Sequence, residues 1–194
     1  MKRKTAILVI AAGASRRLGQ PKQLLFHQDN FLLNYVLDQC QQSNIGETFV
    51  VLGANYNSIV PNLTGAYVHI LHHKNWALGM GSSIAFGVKY LQKLNYNQVI
   101  ISVGDQPFFN KNLLIDIINT QNKTNAPIVL SKYKKGIGPP TLFEKFFFGE
   151  LIQLKDDFGA KPIIKKYFSQ AVFIDFENGY IDIDTEEDLK YLED

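Results

Sequence analysis

Three basic side chains, Arg16, Arg17 and Lys22, follow a run of small residues, Ala11-Ala12-Gly13-Ala14-Ser15, in a segment that turns through Gly19-Gln20-Pro21. Small residues let a backbone turn sharply and bring its N–H groups onto phosphate oxygens, and the guanidinium and ammonium groups add positive charge. The pattern implies a triphosphate-binding loop. Neither G-x-x-x-x-G-K-[ST] nor G-x-G-x-x-G is present, which argues against a P-loop NTPase and a dinucleotide oxidoreductase. Asp105, in Gly104-Asp105-Gln106-Pro107, ends a strongly apolar run and is the leading metal-ligand candidate, since magnesium takes one or two carboxylates plus substrate phosphates. In isolation, an aspartate in a tight turn before proline accounts for it equally well. Asp182 is the second carboxylate candidate: in an extended segment, Asp182 and Asp184 share one face and Ile181 and Ile183 the other. Thr185 and Asp188 read as a capping box for a terminal helix.

The stretch from Asn75 to Ser83 carries Gly79, Gly81 and Ser82 just ahead of a helical pattern, where amides and hydroxyls can hold a base, ribose or phosphate. An ordinary loop with a serine cap is the other reading. His69, His72 and His73 lie close together, but adjacent residues of an extended chain face opposite ways and no H-E-x-x-H spacing is present, so solvated or hydrogen-bonded histidines are expected. Cys40 falls on the apolar face of a helix and reads as a small buried hydrophobe. Asp157-Phe158-Gly159 repeats three letters of a kinase metal motif, without the other kinase segments.

Elements that place these residues alternate along the chain. The aliphatic run Thr5–Ala12 suits a strand covered on both faces, Phe31–Ser43 a helix, and Glu47–Leu52 a strand followed by a short helix to Leu63. Strands are expected at Ala66–Leu71, Gln98–Val103, Ala126–Ser131 and Ala171–Phe176, and helices after Ser83, over Lys111–Thr120 and over Ala160–Phe168. Lys132–Gly136 reads as a basic flexible loop that could meet an anionic acceptor, and Gly138-Pro139-Pro140 as a rigid extended turn. Asp105, past the end of a central strand, then lies at the crevice where open α/β sheets bind ligands. Lys22 and Asp105 are expected to be exposed in that cleft.

The 194 residues, 46% hydrophobic, suit one domain over 1–194, and a net charge of +2 gives no global attraction to nucleic acid or an anionic membrane. The single cysteine fits a reducing compartment, and a cytoplasmic location is expected. Lys2-Arg3-Lys4 with the following apolar run mimics a secretory signal. Arg16 and Arg17, directly after the small residues, favour a retained strand and loop.

Taken in order, Ala11-Ala12-Gly13-Ala14-Ser15-Arg16-Arg17-Leu18-Gly19 with Pro21-Lys22, Asn75-Trp76 with Gly79-Met80-Gly81-Ser82-Ser83, Asp105-Gln106-Pro107, Gly138-Pro139-Pro140, Asp157-Phe158-Gly159-Ala160-Lys161 and Asp182-Ile183-Asp184-Thr185 resemble the molybdenum cofactor cytidylyltransferases. These belong to a nucleotidyltransferase superfamily that also holds the guanylyl-transferring relatives. The resemblance implies a Rossmann-like three-layer sandwich around a mostly parallel sheet, and attack of the terminal phosphate of a molybdenum-pterin substrate on the α-phosphorus of CTP, releasing pyrophosphate. It implies that Arg17, Lys22 and Asp105 are catalytic, with magnesium on Asp105 and Asp182. Ala11 to Arg16, Gly19, Asn75, Gly79, Gly81 and Ser82 would bind nucleotide, and a molybdoenzyme could receive the product. Ala12 resembles the cytidylyl branch, where the guanylyl branch carries glycine. Leu18, Lys161 and Glu186 depart from the usual methionine, arginine and proline; at Lys161 the charge is kept and the bidentate fork lost. Transfer to a sugar or alcohol phosphate, transfer from GTP, and a non-catalytic accessory protein for molybdoenzyme maturation are the competing readings.

Overall fold

The computed structural model describes residues 3–64 and 67–192. β1 (Thr5–Ala11) is buried along its whole length. Its alternate residues feed two cores: Ala6, Leu8 and Ile10 pack on one face of the sheet, and Ile7, Val9 and Ala11 on the other. That two-sided burial is what a continuous aliphatic run encodes.

Seven strands form one sheet in the order β5-β4-β1-β6-β8-β7-β9, built from β1, β4 (Glu47–Leu52), β5 (Val68–His72), β6 (Gln98–Val103), β7 (Ile128–Tyr133), β8 (Gly136–Glu144) and β9 (Ala171–Asp175). β8 pairs antiparallel with both neighbours, and every other pairing in the sheet is parallel. A two-stranded ribbon, β2 (Phe26–His27) with β3 (Asn30–Phe31), lies outside it. α1 (Leu32–Gln42) and α4 (Lys111–Thr124) cover the face of Ile7 and Val9, and α3 (Met80–Lys93) covers the face of Leu8. Shorter pieces, α2 (Tyr56–Ile59), α5 (Phe148–Leu151) and α6 (Lys161–Lys166), complete the element order. The chain leaves β1 toward β4 and β5, then returns to the opposite side of β1 as β6. Between β1 and β6 the winding reverses, so the loops after these two strands open onto a common crevice.

Most expected elements stand within a few residues. β5 begins at Val68; the expected start at Ala66, like Lys2, lies outside the described residues. α4 runs on to Thr124 and α6 stops at Lys166. Two expectations are corrected. Gly138-Pro139-Pro140 is part of β8: the register shifts between Leu130 and Ser131, so the prolines fall in an irregularity where β7 needs no N–H from them. The basic loop is a tight hairpin, with only Lys134 and Lys135 between β7 and β8.

The segment 181–184 has no regular secondary structure and joins no sheet. The Ile183 N–H donates to the Asp105 carbonyl at 3.1 Å. Ile183 is fully buried with Leu18, Leu25 and Leu32 in a third apolar cluster. This cluster fastens the basic loop to the C-terminal segment. Ile183→Ala is expected to cost about 2–4 kcal/mol in urea unfolding; an unchanged midpoint would show that the cluster does not bind the two segments together.

Candidate active site

After Ala11 the chain turns through Ser15, whose φ is 52°, and Gly19, whose φ is 73°. Leu18 and Gly19 N–H both donate to the Ser15 carbonyl at 3.1 Å, and the Lys22 N–H donates to Ser15 Oγ at 3.1 Å. Gln23, 1% exposed, donates from Nε2 to the carbonyls of Ala11 at 2.9 Å and Gly13 at 3.2 Å. The loop is thus held by its carbonyls and by one hydroxyl. Among the described residues, no acceptor is recorded for the amides of Gly13, Ala14, Ser15, Arg16 and Arg17. A Cβ placed on Gly13 would meet nothing within 4 Å, so the protein's own packing does not demand glycine there. Unpaired amides beside two guanidinium groups form an anion-binding concavity.

The loop roofs a cavity of about 440 Å³ lined by Ala11 to Arg17, Lys22, Asp105 and Gly79, all predicted to act at the site. Gln23, Trp76, Ser83 and Asp157 also line it. Trp76 packs across Gly53, where a Cβ would sit 2.4 Å from the tryptophan Cβ.

Lys22 Nζ lies 2.5 Å from Asp105 Oδ2 and 2.7 Å from Asp184 Oδ1, and Arg17 Nη2 lies 2.6 Å from Asp184 Oδ2. Lys22 and Asp105 were expected in the open cleft, yet their side chains are each only 15% exposed, because they cover one another. Burial by itself would lower the Lys22 pKa; the charge of Asp105, hydrogen bonds to Asp105 and Asp184, and the charge of Asp184 outweigh it, and the ammonium is held above the usual lysine range. Burial pushes Asp184 up, but hydrogen bonding and charge from Lys22, with help from Arg17, leave it below the usual carboxylate range. Asp182 moves the other way, raised first by burial and then by the charges of Asp105 and Asp184.

Asp105, Asp182 and Asp184 each place an oxygen within 4.8 Å of the others. Asp105 Oδ1 is buried without a hydrogen-bond partner. Hard carboxylate oxygens, one of them otherwise orphaned, suit magnesium or manganese. The sequence points to Asp105 and Asp182; Asp184, which takes both cations, is signalled there only by its two-residue spacing from Asp182 and its place in the Asp182-Ile183-Asp184-Thr185 segment.

Gly19, Asn75, Gly81, Ser82 and Asp182 do not line the cavity; Asp182 lines a neighbouring cleft instead. Gly81 donates its N–H to the Asp156 carbonyl at 2.8 Å, and a Cβ there would lie 2.5 Å from the Lys155 carbonyl oxygen. Gly79 has φ 100° and a Cβ there would lie 2.4 Å from the Asp156 carbonyl oxygen. These glycines admit the 155–157 loop. Ser82 Oγ is 2.8 Å from His73 Nε2, and Ser83 takes the cavity-facing place. The histidines disperse as expected: His69 stacks on Phe49 and His72 on Tyr56. Of the basic hairpin, Tyr133 lines a neighbouring cleft while its lysines do not. Cys40 is buried, and burial raises its thiol pKa.

Residues 7–172 match the family described as the MobA-like NTP transferase domain. The purine catabolism protein PucB of Bacillus subtilis is 27% identical over 191 residues, covering 92% of this chain and 91% of its own. The bifunctional protein GlmU of Mycobacterium bovis is 26% identical over 170 residues, which are 84% of this chain; the chain spans about a third of GlmU, 32% of its length. The crystal structure of a homologue of Mycobacterium tuberculosis Rv0371c from Mycobacterium sp. strain JC1 superposes with a TM-score of 0.86 at 26% identity, covering 99% of this chain and 96% of that one.

Two outcomes follow from the ion-pair geometry. Lys22→Met removes the ammonium between Asp105 and Asp184, and manganese binding in the absence of nucleotide, read by electron paramagnetic resonance, should tighten about tenfold; unchanged affinity would show that Lys22 does not compete for the carboxylates. A depressed aspartate adds stability that is present above its unfolded pKa and lost as pH falls through its folded value. The thermal-midpoint advantage of the wild type over Asp184→Asn should therefore be full at neutral pH and shrink below the usual aspartate range. A pH-independent gap would contradict it.

Proposed function

This chain belongs to the MobA-like NTP transferase domain family and is a nucleotidyltransferase, and from that premise we propose that it transfers CMP from CTP to the terminal phosphate of a molybdenum-pterin substrate, releasing pyrophosphate. The observation that supports the transfer chemistry is the convergence of unpaired loop amides, Lys22 and the Asp105 carboxylate on one cavity, with Asp184 paired to Lys22 behind them. No protein nucleophile is needed, since the acceptor's phosphate attacks phosphorus directly. Catalysis then rests on positioning and on neutralising charge as it develops.

In this reading the amides of Gly13 to Arg17 and the side chains of Arg16 and Arg17 hold the triphosphate. Lys22, drawn from its carboxylates by the arriving phosphates, stabilises the transition-state oxygens. Asp105, Asp182 and Asp184 would hold magnesium, which would supply Lewis-acid neutralisation of substrate phosphate charge. Ala12, 3% exposed in the cavity wall, supports cytosine as the base through the resemblance of its position to the cytidylyl branch. Delivery of the product to a molybdoenzyme belongs to the same reading.

The test is magnesium-dependent pyrophosphate release with each of the four nucleoside triphosphates, with and without molybdenum-loaded pterin. Release with CTP and pterin together is the expected result; release with a sugar phosphate in place of pterin, or with GTP in place of CTP, would overturn the assignment. Lys22→Ala and Asp105→Ala should each lower turnover by roughly 10²–10³-fold. Thermal melts of both variants separate lost chemistry from lost folding, and near-wild-type turnover in both would reject the site.

A further inference from the structure

The sheet ends on one side at β9, which pairs with β7 and has no strand on its other flank. An open edge offers unpaired N–H and C=O groups to any other strand, and proteins blunt such edges with lysine, proline or a bulge. Ala171-Val172-Phe173-Ile174-Asp175 contains neither residue, and its pairing with β7 runs without a register shift. Val172 and Ile174 point into the core under α4, which leaves Ala171, Phe173 and Asp175 on the other face. Phe173, the central residue, is 41% exposed. Among the described residues its one recorded ring neighbour is Phe168, 5.6 Å away and itself 50% exposed.

The opposite edge, β5, is occupied differently. Its His69 and His72 already stack on Phe49 and Tyr56, and His69 Nε2 lies 3.3 Å from a Glu47 carboxylate oxygen. Charge also distinguishes β9. The chain entering it carries Lys165 and Lys166, and the chain leaving it carries Asp175 and Glu177. Lys166 is tied to Glu150 at 3.0 Å, whereas Lys165, Asp175 and Glu177 are exposed and form no ion pair among the described residues.

We propose that two copies of this chain associate edge to edge, β9 antiparallel to β9, about a two-fold axis through Phe173 that joins their seven-stranded sheets into one. A two-fold contact needs a surface complementary to itself, and β9 meets that condition three times. Phe173 lies opposite the partner's Phe173 as a cross-strand aromatic pair, and every residue keeps its face of the sheet. The basic approach to one β9 lies beside the acidic exit of the other, whereas parallel pairing would set like charges together. Backbone groups open on one copy meet those open on the other. Phe168 also lines a second cavity, of about 750 Å³, which shares Asp105 with the first and is walled in part by Ile137, Phe143 and Ile164, so a partner on this edge lies beside that cleft. The proposal stands independently of the nucleotidyl-transfer reading.

Sedimentation equilibrium of the full chain over a concentration series tests it, and the apparent mass should rise toward twice that of one chain. Phe173→Lys should weaken association at least tenfold, while Tyr90→Lys, on α3 against β4, should leave it unchanged. Thermal melts check that Phe173→Lys is folded; if it melts early, Phe173→Ser takes its place. Hydrogen exchange of the unmutated protein reads the edge directly: amides of 171–175 should slow as concentration rises, and those of β5 should not. A single-chain mass at every concentration would overturn the proposal and leave the edge to a strand of a different protein. Association that survives the Phe173 substitution, that is lost equally with Tyr90→Lys, or that protects β5 in place of β9 would overturn it too.

Discussion

The Lys22 ammonium lies 2.5 Å from Asp105 and 2.7 Å from Asp184, and through these contacts three segments far apart in sequence become one site. None of the three would stay in place alone. Two carboxylates this close repel each other, and a largely buried ammonium is costly without partners. The loop after β1, the turn after β6 and the C-terminal segment are therefore interdependent: each supplies the charge that makes the others tolerable. The apolar cluster of Leu18, Leu25, Leu32 and Ile183 sits beside this triad and sets its dimensions without charge. Hydrophobic packing fixes the spacing, and electrostatics makes the spacing useful.

The glycines at the start of α3 contribute more indirectly. Gly79 and Gly81 have no room for a Cβ because the backbone of 155–156 crosses them, and that crossing puts Asp157 into the cavity wall. Chain folded after β8 thereby closes a cavity whose other sides come from strands laid down before it. Trp76 over Gly53 does the same from within the first half. Small residues here act as crossing points for backbone.

Much of this could be read before any coordinates. Aliphatic runs in β1 and β6 are unambiguous because two-sided burial leaves no polar alternation, and the charges of Arg16, Arg17, Lys22 and Asp105 stand next to such runs. Glycine was harder to interpret. A glycine that frees an amide for phosphate and one that admits a neighbouring backbone look alike in sequence, which is why Gly81 was assigned to nucleotide while its N–H serves Asp156. Ser82 and Ser83 differ by one step of helical phase, and only the packed helix shows which faces the cavity. Asp184 was hidden because its partners are 162 and 167 residues away in sequence. The two prolines in β8 read as a turn since proline breaks a ladder, and the register shift that accommodates them has no local signature.

The reversed direction of β8 divides the molecule's labour. Residues up to Asp105, with Asp157, enclose the cavity under the basic loop, whereas most of the second cleft is drawn from the chain at and beyond the reversed strand. A substitution in Ile137, Phe143 or Ile164 can reshape the cleft while the loop after β1 keeps its amides and its lysine. The two cavities can therefore change shape independently of one another. Asp105, at the end of β6, lines both cavities and marks the seam between them.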